Sequence, residues 1–399
     1  MSSRWNSFIQ FLAESQQLQP EERQAIVDEL LATHDEWPWV ERDRATFVYD
    51  SRTAESVAIN LDIINNDPPF ENLVKLEGTT LWYLQRYFDK DALLDYMYAV
   101  NDPGTPLAQE ADLVGRINKF WEIDPRNKKM IDTTQIDVSV LRMAKARPFP
   151  SWRAMRSVPR GRIYQHEFSS VEMGYTDRKL WVYTPPGYTA DEGKMYPLLI
   201  MMDGQWAVDA FEVPYIADAL IKHKRMQPVV IAMLESGSQA DRINDYVSND
   251  NHYSAILNEL LPMLQTEYMI DSTNLGIAGV GEGAVAAAHA ALKNSAVFSR
   301  LIMLSPPLGR GPAAQKLQEY AERFRDAKLL PRKIFQSVGR YEQKMRFYHP
   351  AMALRGILER RLLADSKLDY QFVELGSGHS LAAFKSILPE ALAFTFPAE

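Results

Sequence analysis

The sequence has no cysteine in 399 residues, which excludes a disulfide framework, a thiolate nucleophile and a Cys-ligated metal site. Long hydrophobic runs are also missing. No stretch is long and apolar enough to span a bilayer, and the opening Met1-Ser-Ser-Arg-Trp-Asn lacks the uninterrupted apolar core of a signal peptide; the default expectation is a cytoplasmic protein. Positive charge is short: 44 Lys and Arg face 52 Asp and Glu, a net −8 at pH 7, which argues against general nucleic-acid binding. No phosphate loop or dinucleotide fingerprint is present, since the glycines of Gly276-Ile-Ala-Gly-Val-Gly281 lack the required spacing. Neither metal nor cofactor is expected. With 46% hydrophobic and 24% charged residues the composition is that of an ordinary soluble globular protein. The length exceeds what one core organises, so two domains and an extra segment are expected.

The most informative absence is a single hydroxyl. The stretch Asn274-Leu-Gly-Ile-Ala-Gly-Val-Gly-Glu-Gly-Ala284 has the form of a strand, a sharp turn and a helix. In a G-x-S-x-G nucleophile elbow, small flanking residues let strand and helix cross closely while the central serine is held exposed on the turn. Here the flanking glycines are Gly279 and Gly283, and Gly281 stands where the serine belongs.

Along the chain, residues 1–40 carry apolar positions at helical spacing (Phe8, Ile9, Leu12; Ile26, Leu30, Leu31) broken at Pro20, which predicts two short helices. The Asp35-Glu-Trp-Pro-Trp39 cluster ends them and reads as packing anchors rather than a binding platform. Residues 41–131 change to short β-type runs (Ala45–Tyr49, Ser56–Leu61, Leu81–Leu84, Leu93–Val100) separated by turn residues such as Asn65-Asn-Asp-Pro-Pro69, the pattern of a small β-sandwich. Residues 132–160 are polar, then basic and proline-rich (Arg142, Lys145, Arg147, Arg153, Arg156; Pro148, Pro150, Pro159) and read as a linker, with an anion-docking role as the alternative. Residues 161–399 hold eight strand-like runs. From Leu198–Met202 onward each is continuous and apolar and is followed by helical pattern, as in a mostly parallel sheet covered on both faces.

Several strings are specific. Thr46-Phe-Val-Tyr49, Leu76-Glu-Gly-Thr-Thr-Leu-Trp-Tyr83, Asp95-Tyr-Met-Tyr98 and Asp124-Pro-Arg-Asn127 resemble the N-terminal immunoglobulin-like domain of the enterochelin esterase family. Tyr183-Thr-Pro-Pro-Gly-Tyr188, Met202-Asp-Gly-Gln205, Asn258-Glu-Leu-Leu-Pro262 and Gly376-Ser-Gly-His379 resemble its esterase D-like α/β-hydrolase domain. The resemblance implies an eight-stranded α/β-hydrolase fold behind an immunoglobulin-like sandwich. It also implies an ester or siderophore-like small-molecule ligand, and catalytic positions running nucleophile, acid, base. Those positions fall on Gly281, on Glu342 after the seventh strand with Glu374 as local competitor, and on His379 after the eighth. The oxyanion donors would be the N–H of Glu282 and one in the Asp203-Gly-Gln-Trp206 loop, at Gln205. Trp206 and Arg242 stand where a ligand would be met.

Without an attacking oxygen at residue 281 no acyl-enzyme forms. An elbow recentred on Glu282 would put Val280 and Ala284 at the crowded flanking positions, and Val280 would obstruct the crossing. Ser305 matches a serine that the family carries in addition to its nucleophile. Val280, Glu282 and Ala284 also depart from the family's G-Q-S-x-G-G string, so natural drift after loss of catalytic use accounts for all four positions together. The expectation is a catalytically silent pseudo-esterase that keeps a ligand- or partner-binding role. An active ester hydrolase using a non-standard nucleophile or a His379-activated water is the alternative, and a glucan-binding module using sandwich aromatics (Trp82, Tyr83, Tyr96, Tyr98) is the third reading.

Overall fold

The computed structural model describes every residue except 1, 2, 135, 149, 192 and 399. The chain divides into two compact units, Met1–Pro148 with Gly376–Ala382, and Phe149–Leu375 with Ala383–Glu399.

The first unit opens with α1 (Phe8–Ser15) and α2 (Arg23–Thr33). Ser7 caps α1, its Oγ accepting from Gln10 N at 3.1 Å. The helices do not stand apart as a segment of their own. Phe8, Phe11, Val27 and Leu30 form one buried cluster with Trp37, Trp39, Val48 and Leu81 of the β-region. Trp37 and Trp39, 4% and 8% exposed, are packing anchors.

Two sheets follow. One holds β1 (Trp39–Glu41), β2 (Arg44–Asp50), β6 (Leu81–Tyr87) and β5 (Val74–Lys75). The other holds β4 (Glu71–Asn72), β3 (Val57–Leu61), β7 (Leu93–Val100), β10 (Val138–Arg142) and β9 (Met130–Ile131), with β8 (Trp121–Glu122) pairing β7 after helix α3 (Leu113–Phe120). The sheets meet face to face where the Tyr98 hydroxyl donates to Val48 O at 2.9 Å and Phe47 packs edge-on against Tyr96 at 5.0 Å. Trp82, Tyr96 and Tyr98 are 8%, 1% and 0% exposed, so these three aromatics are core and offer no face for a sugar to stack on.

The linker expected over 132–160 is corrected. Val138–Arg142 is a strand that pairs antiparallel with β7, Ser139 opposite Tyr96. Val138, Ser139, Val140 and Leu141 are all buried in the sandwich, a short run that the flanking prolines and basic residues obscure. Residues 135 and 149 of that expected linker lie outside the described residues. Its later basic residues are also engaged: Arg153 pairs with Asp209 and Glu212 at 3.6 and 3.7 Å, and Arg160 with Asp218 at 3.5 Å.

The second unit is an eight-stranded sheet. Its strands are β11 (Arg162–Ser170), β12 (Tyr175–Thr184), β13 (Tyr196–Met202), β14 (Val230–Leu234), β15 (Ile270–Val280), β16 (Phe298–Leu304), β17 (Lys333–Gly339) and β18 (Asp369–Leu375). They lie in the order β11-β12-β14-β13-β15-β16-β17-β18. The pairs β11–β12 and β12–β14 are antiparallel and the rest parallel. Crossover helices cover the sheet: α4 (Gly204–Val208), α5 (Val213–Lys222), α6 (Gln239–Tyr246), α7 (Asp250–Ala255), α8 (Leu261–Glu267), α9 (Glu282–Lys293), α10 (Ala314–Asp326), α11 (His349–Ala364) and α12 (Leu381–Thr395). All of β13 and β14 is buried, which is why those runs read as unbroken apolar strings instead of alternating ones.

Candidate active site at the strand-to-helix elbow

The carboxyl end of β15 turns directly into α9 through Gly281, whose φ of 56° and ψ of −126° lie in a region that only glycine enters without strain. Gly281 N donates to Leu304 O across the sheet at 2.9 Å, and its carbonyl accepts from Ala284 N at 3.0 Å. The flanking glycines are required by space. A Cβ on Gly279 would come within 2.1 Å of the Gly283 backbone, and one on Gly283 within 2.7 Å of Asp203 Oδ2. Strand and helix therefore cross at backbone contact. The alanines at 284, 286–288, 290 and 291 keep α9 against the sheet, each at most 2% exposed.

A charged network fills the elbow's surroundings. Asp203, at the end of β13, adopts φ 58° and ψ 51° and is 3% exposed. Its carboxylate receives Arg242 Nε at 2.9 Å, Arg242 Nη2 at 2.8 Å and the Tyr246 hydroxyl at 3.3 Å. Arg242 thus docks on Asp203 in a two-pronged pair instead of lying free at the surface. Burial works against its charge, but the Asp203 carboxylate outweighs that and raises its pKa further; burial beside the same carboxylate pushes the Tyr246 phenol well up.

Glu282, the first residue of α9, is 8% exposed. Its Oε1 accepts from Arg346 Nη2 at 2.9 Å, and its Oε2 lies 3.8 Å from Arg242 Nη1. Two guanidiniums therefore hold this carboxylate. Its backbone N–H belongs to the first turn of a helix, where donors have no intrahelical acceptor. The Gln205 N–H has the same standing in α4, and the Gln205 side chain fixes its loop by exchanging bonds with Ser236 at 2.6 and 3.2 Å. Trp206 is half-buried one residue on. Ser305 follows β16 at φ 49°, is 1% exposed and has no hydrogen-bond partner for its Oγ among the described residues.

Of the two carboxylates near the seventh and eighth strands, Glu374 is taken by Arg340 and Tyr348, each at 2.8 Å. Burial opposes its charge, yet these two donors prevail and lower its pKa. Glu342 follows β17 in a turn closed by Glu342 N to Gly339 O at 3.2 Å, and is 2% exposed. His379 is exposed and sits in the Gly376–Ala382 segment, which belongs to the first unit. There Leu93 N donates to Gly376 O at 2.9 Å, Gly378 N to Asp62 Oδ2 at 3.3 Å, and Leu381 N to Asp95 Oδ2 at 2.7 Å. A Cβ on Gly378 would meet Asp62 O at 2.1 Å, so the Gly-Ser-Gly string before His379 is a close-approach requirement. The second unit therefore brings Gly281, Glu282, Gln205, Trp206 and Arg242 into one region, and His379 is held by first-unit carboxylates. Arg346 and the Asp62–Asp95 pair are the residues that sequence reasoning missed. Arg346 lies 64 positions from Glu282, and no local pattern ties them.

Among the described residues no group of three or more His, Asp or Glu is arranged to hold a metal ion, and no helix is long and apolar enough to cross a membrane.

The comparisons agree with this architecture. The family model described as "Putative esterase" matches residues 170–395. The enterobactin esterase from Shigella flexneri, solved in the presence of enterobactin, superimposes with a TM-score of 0.72 at 19% identity, covering 92% of this chain and 97% of that one. The ferric enterobactin esterase from Salmonella typhimurium gives 0.70 at 17% identity, over 88% and 93%. No curated protein matches the chain in sequence. With the family model spanning more than half its length and the strand order of an α/β-hydrolase around a strand-to-helix elbow, the chain belongs to the esterase family.

Proposed function

We propose that the chain is a catalytically silent esterase-family protein that keeps a binding role for a small-molecule ester at the carboxyl ends of its parallel strands. One observation carries this reading: at the elbow's central position stands Gly281, which has no atom that could attack a carbonyl. The adjacent carboxylate does not replace it, because Glu282 is buried and engaged by Arg346 and Arg242, and a nucleophile must be free to approach the substrate. Ligand binding does not need the missing hydroxyl. The backbone donors at Glu282 and Gln205 persist, as does the rule that ligands of open α/β sheets settle at the carboxyl ends of the strands. Glu342 and His379 are the retained acid and base positions, and Trp206 is the aromatic surface offered to the ligand. The enterobactin found with the Shigella protein makes a catecholate ester the first ligand to test.

The test is isothermal titration of the full chain with a catecholate triester and with short-chain aryl esters, followed by chromatography of the recovered ligand. Saturable binding of at least one ester, weakened about tenfold by Trp206→Ala, with the ester recovered intact, is expected. Consumption of the ester, or no binding by any member of the panel, contradicts the proposal.

A further inference from the structure

A cavity of about 750 Å³ opens at the amino ends of β15, β16, β17 and β18, the end of the sheet away from Gly281. Its size is that of an organic small-molecule site. Its lining has two chemical characters. Arg300, Arg332, Lys333 and Lys367 supply four cations against the two carboxylates Asp365 and Asp369, while Leu329, Leu330 and Leu368 form an apolar wall. On a chain of net charge −8 this local excess is out of character.

The two carboxylates neutralise only one of the four cations. Asp369 takes Lys333 at 2.6 Å, and Asp365 accepts from the backbone N–H of Lys367 at 3.0 Å. Helix ends take one of them only in part, because the end of α10 is served by another arginine. Arg361 donates to the last carbonyls of α10 at 3.1 and 2.8 Å, and Arg300 Nη1 to Thr395 O near the end of α12. Arg300 is fixed on its other side by Nε to Asn274 Oδ1 at 2.6 Å and lies over the Phe396 ring at 5.1 Å, which leaves Nη2 with no hydrogen-bond partner among the described residues. The side chains of Arg332 and Lys367 are exposed and also have no partner among the described residues. Burial lowers the pKa of Arg300, and the neighbouring Arg332 charge lowers it further. Two guanidiniums that repel each other across a cavity are stabilised by an anion placed between them. Leu329, 68% exposed, offers apolar surface beside them.

We propose that this cavity binds a small organic anion, with a carboxylate or phosphate head on Arg300, Arg332 and Lys367 and an apolar body on Leu329 and Leu330. The site is independent of the elbow and of whether the elbow hydrolyses anything.

Titration calorimetry on the full chain with octanoate, octyl phosphate, octanol and inorganic phosphate tests it. Both octyl anions should bind at one site, at least tenfold more tightly than octanol or inorganic phosphate, and the tighter of the two identifies the head group. The Arg332→Glu/Lys367→Glu double variant, which changes exposed side chains only, should lose at least tenfold in affinity for both anions with its melting curve unchanged, and Leu329→Glu should weaken them similarly. Octanol binding as tightly as octanoate, octyl anions that bind the double variant as well as the parent, or no binding of either anion overturns the proposal.

Discussion

Restoring the hydroxyl at Gly281 perturbs both the fold and the chemistry, and the two effects separate. At φ 56° and ψ −126° any residue with a Cβ carries backbone strain of about 1–3 kcal/mol. Replacing glycine also restricts the unfolded chain, which returns about 0.4–1 kcal/mol. Gly281→Ser and Gly281→Ala should therefore both be destabilised, by about 1.3 kcal/mol at the midpoints of these ranges and by at most about 2.6 kcal/mol. For a unit of this size each kcal/mol lowers Tm by about 2–4 °C, which differential scanning calorimetry resolves. Only the serine variant adds an oxygen that a histidine can deprotonate. Esterase activity above the parent should appear in Gly281→Ser and not in Gly281→Ala. A serine variant as stable as the parent refutes the strain argument. Equal activity in both variants shows that the hydroxyl at 281 is irrelevant, and with it the elbow reading.

Three further outcomes follow from the charged groups and the elbow. Burial and then the neighbouring Asp95 carboxylate raise the pKa of Asp62 well above the usual range, and burial takes Asp95 to about 7 against the N–H groups of Leu381 and Ala382. The native state thus holds a proton that the unfolded chain releases, so the Asp95 contribution is fully present below about pH 4 and is lost as pH rises through about 7. Urea midpoints measured from pH 5 to 8 should fall accordingly, and Asp62→Asn, by removing one of two like charges, should flatten that slope; a parent midpoint that rises over this range contradicts the assignment. Arg242→Ala leaves the buried Asp203 carboxylate, among the described residues, with the Tyr246 hydroxyl as its side-chain donor and should cost about 3 kcal/mol, the low end for a broken buried pair, with partial recovery in Arg242→Ala/Asp203→Asn; a loss under about 1 kcal/mol in urea unfolding speaks against the pair. Intact-mass analysis after treatment with a fluorophosphonate should show no adduct, and an adduct mapped to Ser305 would identify a displaced nucleophile.

Much of the hydrolase unit was legible because its strands are buried on both faces. Runs such as Leu198-Leu-Ile-Met-Met202 are continuous where a half-exposed strand would alternate, and the glycines at 279 and 283 announce a close crossing by their spacing. Strand β10 was harder to see, because its five residues lie among basic and proline residues that read as linker. The first helices are legible as helices, but their place in the sandwich unit is not, since the Phe8, Trp39 and Leu81 cluster joins positions far apart in sequence. Arg242 and Glu282 were marked by resemblance, yet their state depended on partners that sequence spacing does not reveal. Asp203 holds one, and Arg346, reached only after two more strands, holds the other.

The central claim is tested most directly by turnover itself. Hydrolysis of p-nitrophenyl acetate and of a catecholate ester should be measured for the parent and for His379→Ala at equal concentration. Rates near the buffer background and unchanged by the substitution are predicted; a parent rate well above background that collapses in His379→Ala would show a working esterase.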